Sequence, residues 1–252
     1  MMVDTHCHLN LSDYDNLEEV INKMDNNIII VSGCDDKTNQ EVVELCDKYS
    51  NVFGTIGIHP QEVGTATDKS LKYIEDNLNH PKIVGIGEIG LDYHWTKDNK
   101  DLQLMWFAKQ LSLAKKYNKC VVVHSREAIK DTYEILRKYE LSKIDIHCYS
   151  SSLEMAKEFI KIGARLGIGG VVTFKNSEKL KEVVKNIDLQ YLLLETDSPY
   201  LTPEPNRGKK NEPFNVYFVA KKIAEIKNIS IDEVLTQTTK NAIDQFDLPI
   251  IL

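Results

Sequence analysis

The chain has 252 residues, 42% of them hydrophobic, with 31 Lys and Arg against 38 Asp and Glu for a net charge of −7. That length supports one large domain with its own core and lies near the usual size of a (β/α)8 barrel. The acidic balance excludes a protein that grips nucleic acid through a general basic field, so any phosphate-bearing substrate must be held locally.

Eight apolar, β-branched runs recur from end to end: MMVDTH (1–6), NIIIVSG (27–33), VFGTIGIH (52–59), KIVGIGEIG (82–90), CVVVHS (120–125), KIDIHCY (143–149), ARLGIGG (164–170) and YLLLETD (191–197). Helical patterns lie between them. Leu17, Val20, Ile21 and Met24 mark one over 15–25, Leu104, Phe107, Leu111 and Ala114 one over 101–117, and Leu153, Ala156, Phe159 and Ile160 one over 152–162. Each spacing gives a helix with one buried stripe. After residue 213 the pattern predicts two more helices, 214–227 and 230–245, with Ser230 and Glu233 as a capping box for the second.

Eight strand–helix units without an internal repeat or linker predict an α/β fold, a single (β/α)8 TIM barrel spanning 1–252 as one domain. Strands that are apolar throughout fit a sheet covered by helices. An open doubly wound sheet would carry a Gly-rich phosphate loop after its first strand, and none is present. LGIGG at 166–170 lacks that spacing and reads as close backbone packing at a strand end.

The five cysteines, Cys7, Cys34, Cys46, Cys120 and Cys148, are odd in number and form no CxxC pair. They read as reduced thiols of a cytoplasmic protein. Cys7 and Cys148 flank candidate ligands, but strand neighbours point to opposite faces, so both are expected in the core. The first ten residues lack the basic start and apolar stretch of a signal peptide. No apolar run approaches a membrane span, so no membrane or obligate protein partner is expected, and a monomer is the default.

Six potential metal ligands close these runs: His6, His8, Glu88, His124, His147 and Asp197. One mononuclear site uses three or four ligands, so six can hold two ions. His6 and His8 form an HxH pair, and the strand period of two turns both imidazoles to one face. Two satisfied core histidines would be the alternative for that pair alone. Glu88 stands among Ile, Val and Gly, where a carboxylate is costly unless paired or metal-bound, and its two oxygens can bridge two ions. Alone it would equally serve as a buried ion-pair partner, just as His124 and His147 taken singly would serve as core histidines. Asp197 can both ligate a metal and accept a proton from an attacking water. Four His and two acids on five strand ends are collectively a strong signal, because barrel active sites lie at the C-terminal face.

Supporting residues follow. His59 in GIHP is placed to contact a substrate phosphate or a bound water. Glu195, one step deeper than Asp197 on the same face, is expected to orient a ligand. Arg126 follows His124 by two residues and is a candidate for substrate binding. Arg207, Lys209 and Lys210 form the densest basic cluster near the proposed mouth, either a clamp on a polyanion or a solvated loop. Glu212 is expected to support this loop by hydrogen bonds. Trp95 and Tyr93 are candidates for base stacking, whereas Trp106 has the spacing of a core residue.

The order DTHCHLN, GIHP, GEIGLDY, HSRE, HCYS and ETDSPYLTPEPNRGKKNEP resembles the TatD family of metal-dependent deoxyribonucleases over essentially the whole chain. The resemblance implies a barrel of the amidohydrolase superfamily with a two-ion site. His6, His8 and Asp197 would bind one ion, Glu88 would bridge, and His124 and His147 would complete the second. It also implies DNA hydrolysis, often as a 3′→5′ exonuclease, with other substrates proposed within the family. Two departures stand out: Cys120 replaces a usual proline, and Ser151 stands where Gly is expected. Neither touches a ligand; both bear on loop shape and substrate preference.

The resulting expectation is a divalent-metal-dependent hydrolase of ester bonds with DNA as substrate. Asp197 and Glu88 are its catalytic residues, and two divalent ions (Mg, Mn, Zn or Co, with Fe also compatible) are its cofactors. The alternative is an amidohydrolase-type esterase or amidase on a small or RNA-linked substrate. A third reading is a non-catalytic nucleic-acid binding module with a structural metal. Structural zinc sites favour Cys ligands, and this set of six has none.

Overall fold

Strand order in the sheet follows chain order without a crossover. The strands are β1 (Val3–Cys7), β2 (Ile28–Ser32), β3 (Val52–Ile56), β4 (Ile83–Asp92), β5 (Cys120–Arg126), β6 (Ile144–Ile146), β7 (Ala164–Ile168) and β8 (Leu192–Leu194), each parallel to the next. The structure is a computed structural model describing residues 1–10, 12–95 and 98–250. Its helices are α1 (Leu17–Asn22), α2 (Asp36–Lys48), α3 (Asp68–Asn77), α4 (Lys100–Tyr117), α5 (Ile129–Tyr139), α6 (Leu153–Lys161), α7 (Glu178–Asn186), α8 (Val216–Lys227) and α9 (Ile231–Phe246). The architecture is the expected TIM barrel.

The helices form where the periodicity places them. α4 buries Phe107, Leu111 and Ala114, and α6 buries Ala156 and Phe159. Side-chain caps fix several starts: Asp35 and Thr38 bond reciprocally at α2, and Ser230 accepts from Glu233 N at α9. One apolar cluster joins the outer strand faces to the helices. A second gathers Val3, Ile30, Phe53, Val84 and Val122 with Phe246 and Leu248, so the end of α9 closes the barrel at the strands' N-terminal ends. Cys120 belongs to this second cluster.

The opposite end is built for a polar site. The ladders shift register between Asp4 and Cys7 of β1 and between Ile86 and Ile89 of β4. Such irregularities re-aim side chains, and these two contain His6 and Glu88. At the β8–β1 seam, Asp197 N donates to His6 O (3.0 Å) and His8 N to Ser198 O (2.7 Å). Below them Thr196 donates to both oxygens of Asp4, from N at 2.9 Å and Oγ1 at 2.6 Å. These bonds bring Asp197 beside the HxH pair. Three strands stop short of the polar group that closes their run, ending at Ile56, Ile146 and Leu194. His59, His147 and Asp197 therefore follow the ladder rather than close it, whereas His6, Glu88 and His124 lie within their strands.

Candidate metal centre

Five imidazoles converge on the one carboxylate of Glu88, which is buried on β4. Its Oε2 lies 3.5 Å from His6 Nε2 and 3.3 Å from His8 Nε2. Its Oε1 lies 2.8 Å from His124 Nδ1, 3.4 Å from His147 Nε2 and 3.5 Å from His59 Nε2. Asp197 Oδ1 joins the first group, 3.7 Å from His6 Nε2 and 3.6 Å from His8 Nε2. Each Glu88 oxygen thus faces its own donor set.

The donor chemistry fits divalent cations. His8 Nδ1 donates to Ser32 O at 3.0 Å, which leaves the lone pair of a neutral ring on Nε2. That lone pair points towards Glu88 and Asp197, with His6 Nε2 only 3.2 Å away. Burial opposes charge on His8, but Cys34, Asp197 and Glu88 outweigh it and hold the ring well above the ordinary histidine value, so its Nε2 faces the two carboxylates as a site for a positive charge, a proton or a metal. His6, His59 and His147 are all held below the ordinary histidine value, first of all by burial. The neutral imidazole is the form that ligates metal. Burial pushes the Glu88 carboxyl upward, but the surrounding histidines, His147 and His59 first, outweigh it and hold it well below the usual range. Burial opposes charge on His124 too, yet Asp92 and Glu88 carry it up to about 9.

Above these groups opens a cavity of about 580 Å³, whose rim includes Asn10, Gln61, Trp95, Arg126 and Tyr200. That volume is typical of a ligand cleft. A family model described as TatD related DNase matches residues 3–247. The chain belongs to the TatD family. It is 43% identical over 248 residues to YabD of Bacillus subtilis, named as an uncharacterized metal-dependent hydrolase, covering 96% of this chain and 97% of that one. A metal-dependent hydrolase of Methanocaldococcus jannaschii is 40% identical over 95% of this chain and 94% of its own. Among solved structures, the TatD homologue YJJV of Escherichia coli matches with a TM-score of 0.92 at 28% identity, covering 98% of each chain. A TatD family hydrolase of Entamoeba histolytica shares the fold, with a TM-score of 0.85 at 23% identity over 97% of each chain. The chain is a metal-dependent hydrolase of this family. No helix among the described residues is long and apolar enough to cross a membrane.

In this TatD chain all six sequence-predicted ligands meet at the centre, and His59, expected at the substrate, lies inside the second donor set. Glu195 sits beneath it. Its Oε1 accepts from Cys148 N at 2.8 Å and lies 3.3 Å from His147 Nδ1. Burial pushes its carboxyl up to about 8. Arg126 lines the cavity with its guanidinium 5.4 Å from the centre of the Trp95 ring. Trp95 is 63% exposed, Trp106 is in the core, and Tyr93 bonds Asp131 through its hydroxyl. Arg207, Lys209 and Lys210 are exposed and do not line the cavity. Glu212 does not reach the centre. It pairs with Lys23 at 2.8 Å and ties its loop to α1.

Cys148 corrects the expectation of a core residue. The ladder ends at Ile146 and Cys148 has φ +47°, so strand alternation no longer applies, and its thiol faces His147 and Asp197. Cys7 is in the core as expected. Sequence reasoning missed three neighbours of the centre: Asp92, 3.1 Å from His124 Nε2; Ser32, whose Oγ lies 3.0 Å from His6 Nδ1; and Cys34, 3.8 Å from His8 Nδ1. The signal for Asp92 was its place in GEIGLDY, a polar end to an apolar run.

Proposed function

We propose that this protein is a two-ion phosphodiesterase that hydrolyses DNA from a 3′ end. The observation that carries the reading is the division of Glu88: one oxygen faces His6, His8 and the adjoining Asp197, the other His59, His124 and His147. Two ions roughly 3.5–4 Å apart are a recurrent device for in-line displacement at phosphorus. In this reading His6, His8 and Asp197 would hold one ion, His124 and His147 a second, and Glu88 would serve both. When bound, the ions supply positive charge against the phosphate oxygens and make nearby water more acidic.

The chain's own residues do the rest. Asp197 is the more accessible of the two central carboxylates, with 15% of its side chain exposed against 4% for Glu88. It is therefore the group that accepts the proton of the attacking water. Arg126 neutralises a phosphate oxygen, and Trp95 offers an exposed ring for the terminal base. Water is the nucleophile, so no covalent intermediate on a side chain is required. Arg126 is the one Lys or Arg among the described cavity-lining residues. That sparse charge favours a chain end held locally over a long duplex.

The test is a cleavage assay. Metal-stripped protein is reconstituted separately with magnesium, manganese and zinc, then given end-labelled single- and double-stranded DNA and RNA beside Glu88→Ala. Metal-dependent shortening of DNA from its 3′ end, absent in the variant, is expected. Full metal occupancy with no cleavage of any polymer overturns the reading in favour of a small ester or amide substrate.

A further inference from the structure

Three consecutive carbonyls at and just after the end of β2 hold three residues of the centre. Ser32 O accepts from His8 Nδ1 (3.0 Å), Gly33 O from Glu88 N (2.8 Å) and Cys34 O from His59 N (2.9 Å). On its other side Cys34 N donates to Thr38 Oγ1 (2.8 Å), a member of the capping box that starts α2. The backbone of Cys34 is thus fixed both to a helix and to the donors themselves, which gives its side chain a set direction.

That direction is into the centre. Cys34 Sγ lies 3.8 Å from His8 Nδ1 and 4.0 Å from Glu88 Oε2. The thiol sulfur, a ring nitrogen of His8 and a carboxylate oxygen of Glu88 all lie within 4.8 Å of one another. Two donors on one tetrahedral zinc stand about 3.5 Å apart, so Sγ is about 0.5 Å outside that separation from Glu88 Oε2. Cys34 is half-buried and lines the cavity, so a small turn about its Cα–Cβ bond meets open space rather than packed core. Glu88 Oε2 also faces His8 Nε2, which places the sulfur beside the donor set that contains His6, His8 and Asp197.

The rest of the donor set agrees with a sulfur ligand. Imidazoles outnumber carboxylates around the centre, five against Glu88 and Asp197. Nitrogen-rich sets suit zinc, cobalt or iron, whereas magnesium takes oxygen ligands and keeps several waters. Thiolate shifts that preference further towards the soft end.

We infer that Cys34 is a further metal ligand, a thiolate donor to the ion shared by His8 and Glu88, and that it makes this position selective for thiophilic divalent ions such as zinc over manganese and magnesium. The sulfur–metal bond forms as the S–H bond breaks, and the proton leaves to solvent. This assignment rests on the proposed two-ion reading, adds the class of metal, and is independent of the substrate. Cys148, near His147 and Asp197, is the rival sulfur.

The test reads the metal rather than the reaction. Metal-stripped protein is titrated with cobalt and followed by absorbance. A sulfur-to-cobalt charge-transfer band in the near ultraviolet is expected in wild type and in Cys148→Ser, and its loss is expected in Cys34→Ser. Competition titrations should show zinc affinity falling by about tenfold or more in Cys34→Ser, with manganese affinity within about twofold of wild type. Bound cobalt without the band in wild type overturns the assignment, whether or not either variant folds. A band that survives in Cys34→Ser and disappears in Cys148→Ser overturns it in favour of the rival thiol. Equal losses of zinc and manganese affinity in Cys34→Ser overturn the selectivity. The band and its loss support the assignment even if wild type cleaves no DNA, an outcome that would sink only the proposed activity.

Discussion

Asp92 and His124 are locked at 3.1 Å, with Asp92 Oδ2 facing His124 Nε2 while the ring's other nitrogen faces Glu88. A carboxylate only accepts, so Asp92 holds a hydrogen on Nε2, and Nδ1, whose proton faces Glu88, is the nitrogen a metal would take by displacing that proton. Asp92 Oδ1 meanwhile accepts from His94 N (2.9 Å) and Trp95 N (3.1 Å). Asp92→Asn can keep those two backbone bonds with its oxygen and must then turn an NH2 group towards His124. The imidazole would respond by keeping its hydrogen on Nδ1, the wrong nitrogen. If the proposed two-ion reading holds, the expected result is loss of roughly 10- to 100-fold in affinity for one of the ions, read by calorimetric titration with zinc or cobalt. Two wild-type affinities in the variant would remove the orienting role.

The same pair sets an acid dependence. Burial raises the Asp92 carboxyl, but the His124 and Trp95 N–H bonds outweigh it and hold it down to about 2, below the ordinary value of 3.8. A carboxyl depressed in the folded state contributes stability that is present above pH 3.8 and lost as pH falls through about 2. The contribution is on the order of 2 kcal/mol in metal-free protein. Urea unfolding of wild type and Asp92→Asn between pH 6 and 3 should show the difference between them shrinking at the acid end. A constant difference would mean that the carboxyl is not depressed.

Glu88→Ala tests the shared carboxylate. Removing it withdraws the negative centre from five imidazoles, so both donor sets lose a member. Metal analysis after dialysis should show fewer ions retained than wild type, and turnover should fall by about a thousandfold or more. In wild type, stripping the metals should lower Tm, since a ligand bound only by the folded state stabilises it. The variant should show a much smaller shift. Wild-type metal content with wild-type turnover would break the proposed scheme.

The six central polar groups were legible because each closes an apolar run, a burial that is costly without a partner. The barrel was legible because eight such runs alternate with helical stripes. Asp92 escaped notice because an acid before a turn looks like a solvated loop residue. Its partner His124 is 32 positions away, and only the β4–β5 ladder joins them. Ser32 and Cys34 were hidden for the same reason, reaching His6 and His8 from β2 and its following loop. Cys148 was misplaced because strand alternation was extended two residues past the last paired position. The loop cations lie near the mouth in chain order, but the structure leaves all three exposed and off the cavity lining.

Trp95→Ala separates binding from chemistry. The ring is exposed at the rim beside Arg126 and is not among the groups around Glu88. Loss of a stacking surface costs about 1–3 kcal/mol per base. KM for single-stranded DNA should rise about tenfold, with kcat within about twofold of wild type. A fall in kcat with unchanged KM would place Trp95 in the chemical step instead.

Gly167→Ala probes the floor of the centre. A Cβ at this position would lie 2.2 Å from Glu195 Oε2 and 3.2 Å from His147 Cα. Glu195 cannot swing aside freely, because it is fully buried and its other oxygen accepts from Cys148 N at 2.8 Å. The methyl group must displace either that carboxylate or the chain carrying His147. Overpacking of this kind costs about 1–3 kcal/mol, so Tm should fall by several degrees. Movement of Glu195 also takes its carboxylate away from His147 Nδ1, 3.3 Å off, so metal affinity should fall alongside stability. The measurement is Tm with and without metal, beside a metal titration. A drop in Tm with unchanged metal affinity would show that Glu195 fills space without orienting His147. A variant matching wild type in both would show that the floor is loose enough to admit a side chain.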